Sequence, residues 1–90
     1  MLTIQYELAF KKDFKRMLKR GYNGALLERV LNLLVKGEAL PPRYKDHALK
    51  GNWRQYRECH ILPDWLLIYR IREEELYLLL VRTGTHSDLF

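Results

Sequence analysis

The run Trp65-Leu66-Leu67-Ile68-Tyr69-Arg70-Ile71 is the strongest constraint on how this chain can fold. It is apolar on nearly both faces. A strand with one face in water alternates apolar and polar residues; a strand without that alternation must be covered. The run is therefore predicted to lie centrally in a sheet, with helices over one side. Its flanks are Leu62-Pro63-Asp64 and Arg72-Glu73-Glu74-Glu75. Both connectors are short enough to join antiparallel neighbours. The neighbours are then Trp53–Ile61 and Leu76–Arg82, and the three strands form a meander.

The N-terminal half has a different period. Leu2–Glu7 is predicted as a first strand. Phe10, Phe14, Met17 and Leu18 then recur at the spacing of one helical face. Gly21 is a suitable C-terminal stop for that helix. Asn23 is placed to cap a second helix, whose apolar face is Leu27, Val30, Leu31 and Leu34. Gly37 ends it, and Pro41-Pro42 prevents a restart nearby. The loop Glu38–Asn52 is long for so small a chain, and loops of that length are often functional. The predicted class is α+β in the order β-α-α-β-β-β: two N-terminal helices packed on a mainly antiparallel sheet, in one domain over residues 1–90.

Charge is concentrated in one place. The net charge is +5, and Lys11–Arg20 holds six basic residues and one acid. On a helix, Lys11, Lys12, Lys15, Arg16, Lys19 and Arg20 sweep the side opposite the apolar face. Such a stripe suits a polyanion, nucleic acid first, or is simply a solvated face. Cys59 is the only cysteine, so no internal disulfide is possible. No apolar run approaches the roughly 18 residues of a membrane span. The start of the chain also lacks the pattern of a secretory leader. A reducing, cytoplasmic setting is expected.

An antiparallel meander dictates which strand ends meet. His60, Asp64, Trp65 and Arg82 are predicted to gather at one end of the sheet, and the tail with Thr83, Thr85 and His86 leaves from that end. Imidazole suits proton transfer near neutral pH, carboxylate orients imidazole, and guanidinium grips phosphate in two bonds. The combination suits a phosphodiester, and above all RNA, whose own 2′-hydroxyl is the nucleophile. A Cys59–His60 nucleophile pair is disfavoured, because adjacent strand residues point to opposite faces. A metal site is disfavoured by the absence of a tight His-His spacing. Taken singly, His47 and His60 read equally well as ordinary residues, Asp64 as a turn former, and Trp53 and Trp65 as core.

The segments Tyr44–Tyr69 and Arg82–Phe90 resemble the YafQ branch of the RelE/ParE toxin superfamily, small bacterial toxins of type II toxin–antitoxin pairs. The two blocks cover 35 of the 90 residues directly, and the order of elements agrees over the rest. The resemblance implies a ribosome-dependent mRNA endoribonuclease and a cognate antitoxin as partner; no cofactor is expected, since His, Asp and Arg cover the acid, base and charge roles without metal. It assigns general-acid duty to His86 and leaves the base among His47, His60 and Asp64. It implies that Arg82 holds the scissile phosphate and that Phe90 stacks on or near a base. Trp65, beside Asp64, is a further RNA-binding candidate. The basic stripe acquires ribosomal RNA as a ligand. The meander and the resemblance disagree about His47: the first puts it at the far end of the sheet, and the second brings it into the site. A gyrase-poisoning relative and a non-catalytic RNA- or antitoxin-binding module are the alternatives.

Overall fold

The computed structural model describes residues 1–90. Strand β1 (Thr3–Tyr6) leads into helix α1 (Leu8–Lys19) and helix α2 (Gly24–Val35). After a 3-10 turn at Pro42–Tyr44 come the two-residue strand β2 (His47–Ala48) and a second 3-10 turn at Gly51–Trp53. Strands β3 (Arg57–Leu62), β4 (Trp65–Arg72) and β5 (Tyr77–Gly84) follow, and helix α3 (His86–Leu89) ends the chain. The sheet order is β1-β5-β4-β3-β2, so β4 is central as its apolar run requires. All pairings are antiparallel except β1 with β5, which is parallel.

The helices form where the spacing places them. Asn23 caps α2 by accepting the Ala25 N–H at 3.0 Å. Gly21 follows α1 with φ +91°, a left-handed conformation that a side chain would resist. One core results. Phe10 and Met17 of α1 and Leu27, Val30, Leu31 and Leu34 of α2 pack on Cys59, Ile61, Trp65, Leu67, Tyr69, Leu78 and Leu80 of the sheet. Leu18, expected on the packed face, is 45% exposed.

The strand bounds differ from expectation at two starts. Trp53 does not open a strand; it sits in a 3-10 turn, and pairing begins only at Arg57. Gly51 and the polar residues around it favour a turn over an extended run. Leu76 likewise lies in the turn before β5, with φ +57°. The sequence reading also missed β2, which pairs antiparallel with the start of β3. A two-residue strand has no period to detect.

Candidate active site

Ladder partners carry their side chains on one face, about 4.8 Å apart from strand to strand. His47 pairs with Glu58, Glu58 with Ile68, and Ile68 with Arg82, so these four form a row across β2, β3, β4 and β5. The next row is His60, Leu66 and Gly84. Both rows lie on the face opposite the helices. The disagreement over His47 is thereby resolved: β3 starts late and the preceding loop doubles back beside it. Asp46 anchors that loop by accepting from Arg57 Nε and Nη2 at 3.3 and 3.1 Å and from the Tyr69 hydroxyl.

Three imidazoles meet on this face. The His47 and His60 ring centroids are 6.5 Å apart, and those of His60 and His86 are 5.7 Å apart. Glu58 lies between the first two, with Oε1 at 3.5 Å from His47 Nε2 and 3.6 Å from His60 Nε2. His47 Nδ1 lies 2.6 Å from the Lys45 carbonyl and donates to it, which leaves Nε2 as the proton-accepting nitrogen of the neutral ring. Glu58 escaped the sequence reading. Its signal is present: two residues before His60 on one strand, it shares that face.

The tail forms the third side. Asp64 Oδ1 accepts both the backbone N–H of His86 at 2.9 Å and its Nδ1–H at 2.5 Å. These two bonds, the backbone one first, hold the Asp64 carboxyl below the usual carboxylate range. The pairing fixes the imidazole tautomer and leaves Nε2 as the nitrogen that takes up a proton to form the imidazolium and gives it off again. Thr85 caps α3 reciprocally with Asp88, so the last residues are a capped turn of helix and not an extended tail.

Of the residues predicted to gather, His60 and Asp64 are brought together through His86 of the tail, His47 joins them, and Trp65 does not. Arg82 ends the row of His47 and Glu58, two strands beyond Glu58, and is engaged by Asp13: Nε donates to Oδ2 at 2.5 Å and Nη2 to Oδ1 at 3.2 Å. Asp13 also accepts the Thr83 N–H at 3.2 Å. It is the one acid of the basic run, and it is buried because it follows Phe10 by three positions on the packed face. Arg82 also lines a cleft of about 320 Å³ with Leu49, Lys50, Trp53, Val81 and Phe90. Trp53 and Phe90 are 55% and 73% exposed there.

Trp65 does not fit an RNA-contacting role. Its side chain is wholly buried, edge-on to Tyr22, with its indole N–H donating to Thr83 Oγ1 at 2.8 Å. It shares strand parity with the core residues Leu67 and Tyr69, so it points away from the histidines. The basic stripe also divides. Lys11, Lys12, Lys15 and Lys19 are exposed and enter no ion pair. Arg20 is bound to Asp88, and Arg16 lies 3.8 and 3.9 Å from Asp13 and Asp88. Asp13 lies within the run, but Asp88 is 68 positions from Arg20, and nothing in the local sequence separates these two arginines from the four lysines.

Cys59 is fully buried in the core, and desolvation pushes its thiol far above the ordinary range. It carries no nucleophile into the site. Native protein is expected to resist thiol-alkylating reagents for as long as it stays folded, with labelling appearing only as denaturant unfolds it. Rapid labelling without denaturant would refute this placement. No helix is long and apolar enough to cross a membrane. No group of three or more His, Cys, Asp or Glu side chains is arranged to hold a metal ion.

Comparison with known proteins agrees over the full fold. A family model described as "Bacterial toxin of type II toxin-antitoxin system, YafQ" matches residues 2–90. The mRNA interferase toxin YafQ of Escherichia coli K12 is 41% identical over 88 residues, spanning 97% of this chain and 94% of that protein. Among solved structures, a metal-bound toxin from Helicobacter pylori superposes with a TM-score of 0.94 at 48% identity, with 100% of both chains covered. YafQ in the E. coli DinJ–YafQ complex superposes at 0.90 and 40% identity, covering 100% of this chain and 99% of that one. Matched from its first strand to its last helix, the chain belongs to the YafQ family of bacterial type II toxins.

Proposed function

We propose that this chain is a ribosome-dependent mRNA endoribonuclease working by acid–base catalysis without metal, and that an antitoxin protein restrains it. The observation that carries the reading is the ring of His47, Glu58, His60 and Asp64-bound His86 on one open sheet face. RNA supplies its own nucleophile. The 2′-oxygen attacks the adjacent phosphorus as its proton passes to a base, and the P–O5′ bond breaks as an acid protonates the 5′-oxygen. The products are a 2′,3′-cyclic phosphate and a 5′-hydroxyl.

The hydrogen bonds support a division of roles. His86, with Nδ1 held by Asp64, delivers a proton from Nε2 to the leaving oxygen. Asp64 thus orients the acid, and the base is drawn from His47 and His60 around Glu58. Arg82 supplies positive charge to the crowded phosphate, which asks it to turn from Asp13 or to share it. Trp53 and Phe90 offer aromatic faces to an unstacked base at the cleft beside Arg82. The four unpaired lysines of α1 face ribosomal RNA; such contacts give affinity and position without sequence choice. The relative named mRNA interferase supports the reaction class, and the DinJ–YafQ complex supports an antitoxin partner.

Primer extension on a translated message tests the reading. Cuts should appear with ribosomes, vanish without them, and persist at an unchanged rate when the protein has been stripped of transition metals beforehand and the assay holds only the magnesium that ribosomes need. Ribosome affinity should fall steeply with added salt, with the slope reduced when the lysines are replaced by glutamine. Growth arrest without cuts would point to a gyrase poison or a binding module. Cleavage lost in the metal-stripped protein and restored by zinc, copper or another transition ion, at constant magnesium, would overturn metal independence.

A further inference from the structure

Helix α3 spans four residues and buries none of them. A helix that short has no stability of its own, and this one has no fully buried side chain to anchor it. Yet it carries His86, whose ring must hold its place to a fraction of an ångström. Polar contacts fix it instead. One is the Asp64 pairing within the site. The other lies outside it, at the end of α1: Arg20 Nη1 donates to Asp88 Oδ2 at 2.6 Å and Nη2 to Oδ1 at 3.0 Å. This is a two-bond guanidinium–carboxylate fork, the geometry least able to swivel.

Asp88 is engaged on every side. Its Oδ2 also accepts the Thr85 N–H at 2.9 Å, and its own N–H donates to Thr85 Oγ1 at 3.3 Å. Its side chain is only 13% exposed although the helix lies at the surface. Gly84, the residue where β5 turns toward α3, is part of the fit. A Cβ there would stand 3.0 Å from Asp88 Cβ and 3.0 Å from Oδ2, tight enough that Asp88 would have to give by a few tenths of an ångström. Arg20, with help from the Thr85 N–H, holds the Asp88 carboxyl well below its ordinary range, so the pair stays charged from neutral into mildly acidic solution.

We infer that Arg20 and Asp88 are positioning residues: their ion pair latches α3 to α1 and so keeps His86 in register with Asp64 and the other histidines. Arg20 is on this view a brace for the acid and not an RNA contact, although it belongs to the basic stripe by sequence. The catalytic consequence rests on the proposed RNA cleavage; the structural one does not.

The test uses the full chain with Arg20→Gln, Asp88→Asn, the double variant and Arg20→Lys. Asp88→Asn keeps an oxygen for the Thr85 N–H, removes the charge, and puts an NH2 group where Oδ1 accepts from Arg20 Nη2. Amide exchange of His86 in the free protein should quicken in both single variants. Single-turnover cleavage on programmed ribosomes should slow roughly 10- to 100-fold, as small misplacements of catalytic groups do. Ribosome affinity should stay within about twofold, since no phosphate contact is lost. The double variant should be no worse than either single one, and Arg20→Lys should recover part of the rate. Gly84→Ala should reproduce the fast exchange by pushing Asp88 away. Unchanged His86 exchange in both single variants would overturn the latch. So would an Arg20→Gln variant that binds ribosomes weakly while Asp88→Asn behaves as wild type. If the wild-type chain cleaves nothing, the RNA reading fails, and the exchange measurement alone still decides the latch.

Discussion

Replacing His86 with alanine is expected to lower the cleavage rate by about 10²- to 10⁴-fold, the usual range for a lost acid or base. The fold should survive. The His86 side chain is 54% exposed and contributes to no packed layer, so the change in stability should stay near the ~0.5 kcal/mol typical of surface positions. Asp64 Oδ1 keeps the backbone N–H of residue 86, so α3 retains that tether. Induced expression measures the first half, since cells carrying the variant should keep growing. Denaturation in urea measures the second. A variant that still arrests growth with its cuts unchanged would remove His86 from the mechanism. Asp64→Asn should cost less than His86→Ala, because an amide oxygen still accepts the Nδ1–H but no longer stabilises an imidazolium.

Replacing Trp65 with alanine should act the opposite way. Large-to-small changes at a fully buried aromatic typically cost about 3–5 kcal/mol. A domain of this kind has roughly 5–15 kcal/mol in all. The indole lies against Tyr22, and its N–H is matched to Thr83 Oγ1, which in turn donates to the Leu66 carbonyl at 2.6 Å. Alanine leaves a cavity under the central strand and removes that donor. Trp65→Phe refills most of the volume and should cost much less. Urea midpoints separate the variants. Full stability combined with lost RNA binding would restore the stacking role that burial denies.

The comparison of these two residues shows what sequence can and cannot convey. Element order is legible because period is legible: 3.6 through α1 and α2, an apolar run at β4, and turn residues between the strands. The meeting of His60, Asp64 and His86 follows from topology, since an antiparallel meander has one possible set of adjacent ends. Trp65 was within reach by parity, as Leu67 and Tyr69 share its face. Glu58 was too, by its alternation with His60. His47 was not, because a two-residue strand has no pattern and its position depends on a loop pinned by Asp46, Arg57 and Tyr69. Nor were Asp13 with Arg82 and Arg20 with Asp88. These pairs lie 69 and 68 positions apart, and nothing local marks one charge as the other's partner.

The parallel pairing of β1 with β5 has a consequence for assembly. Thr3–Tyr6 find their hydrogen-bond partners on Tyr77–Leu80, at the opposite end of the residue order. Early strand and late strand must both be present before α1 has a sheet edge to lie on, and α1 in turn holds Arg82 and Asp88. Contacts so distant in the chain make folding slow and highly cooperative. A molecule without β1 and α1 would keep the strands that carry the histidines and lose the Asp13 and Arg20 side chains that hold Arg82 and Asp88.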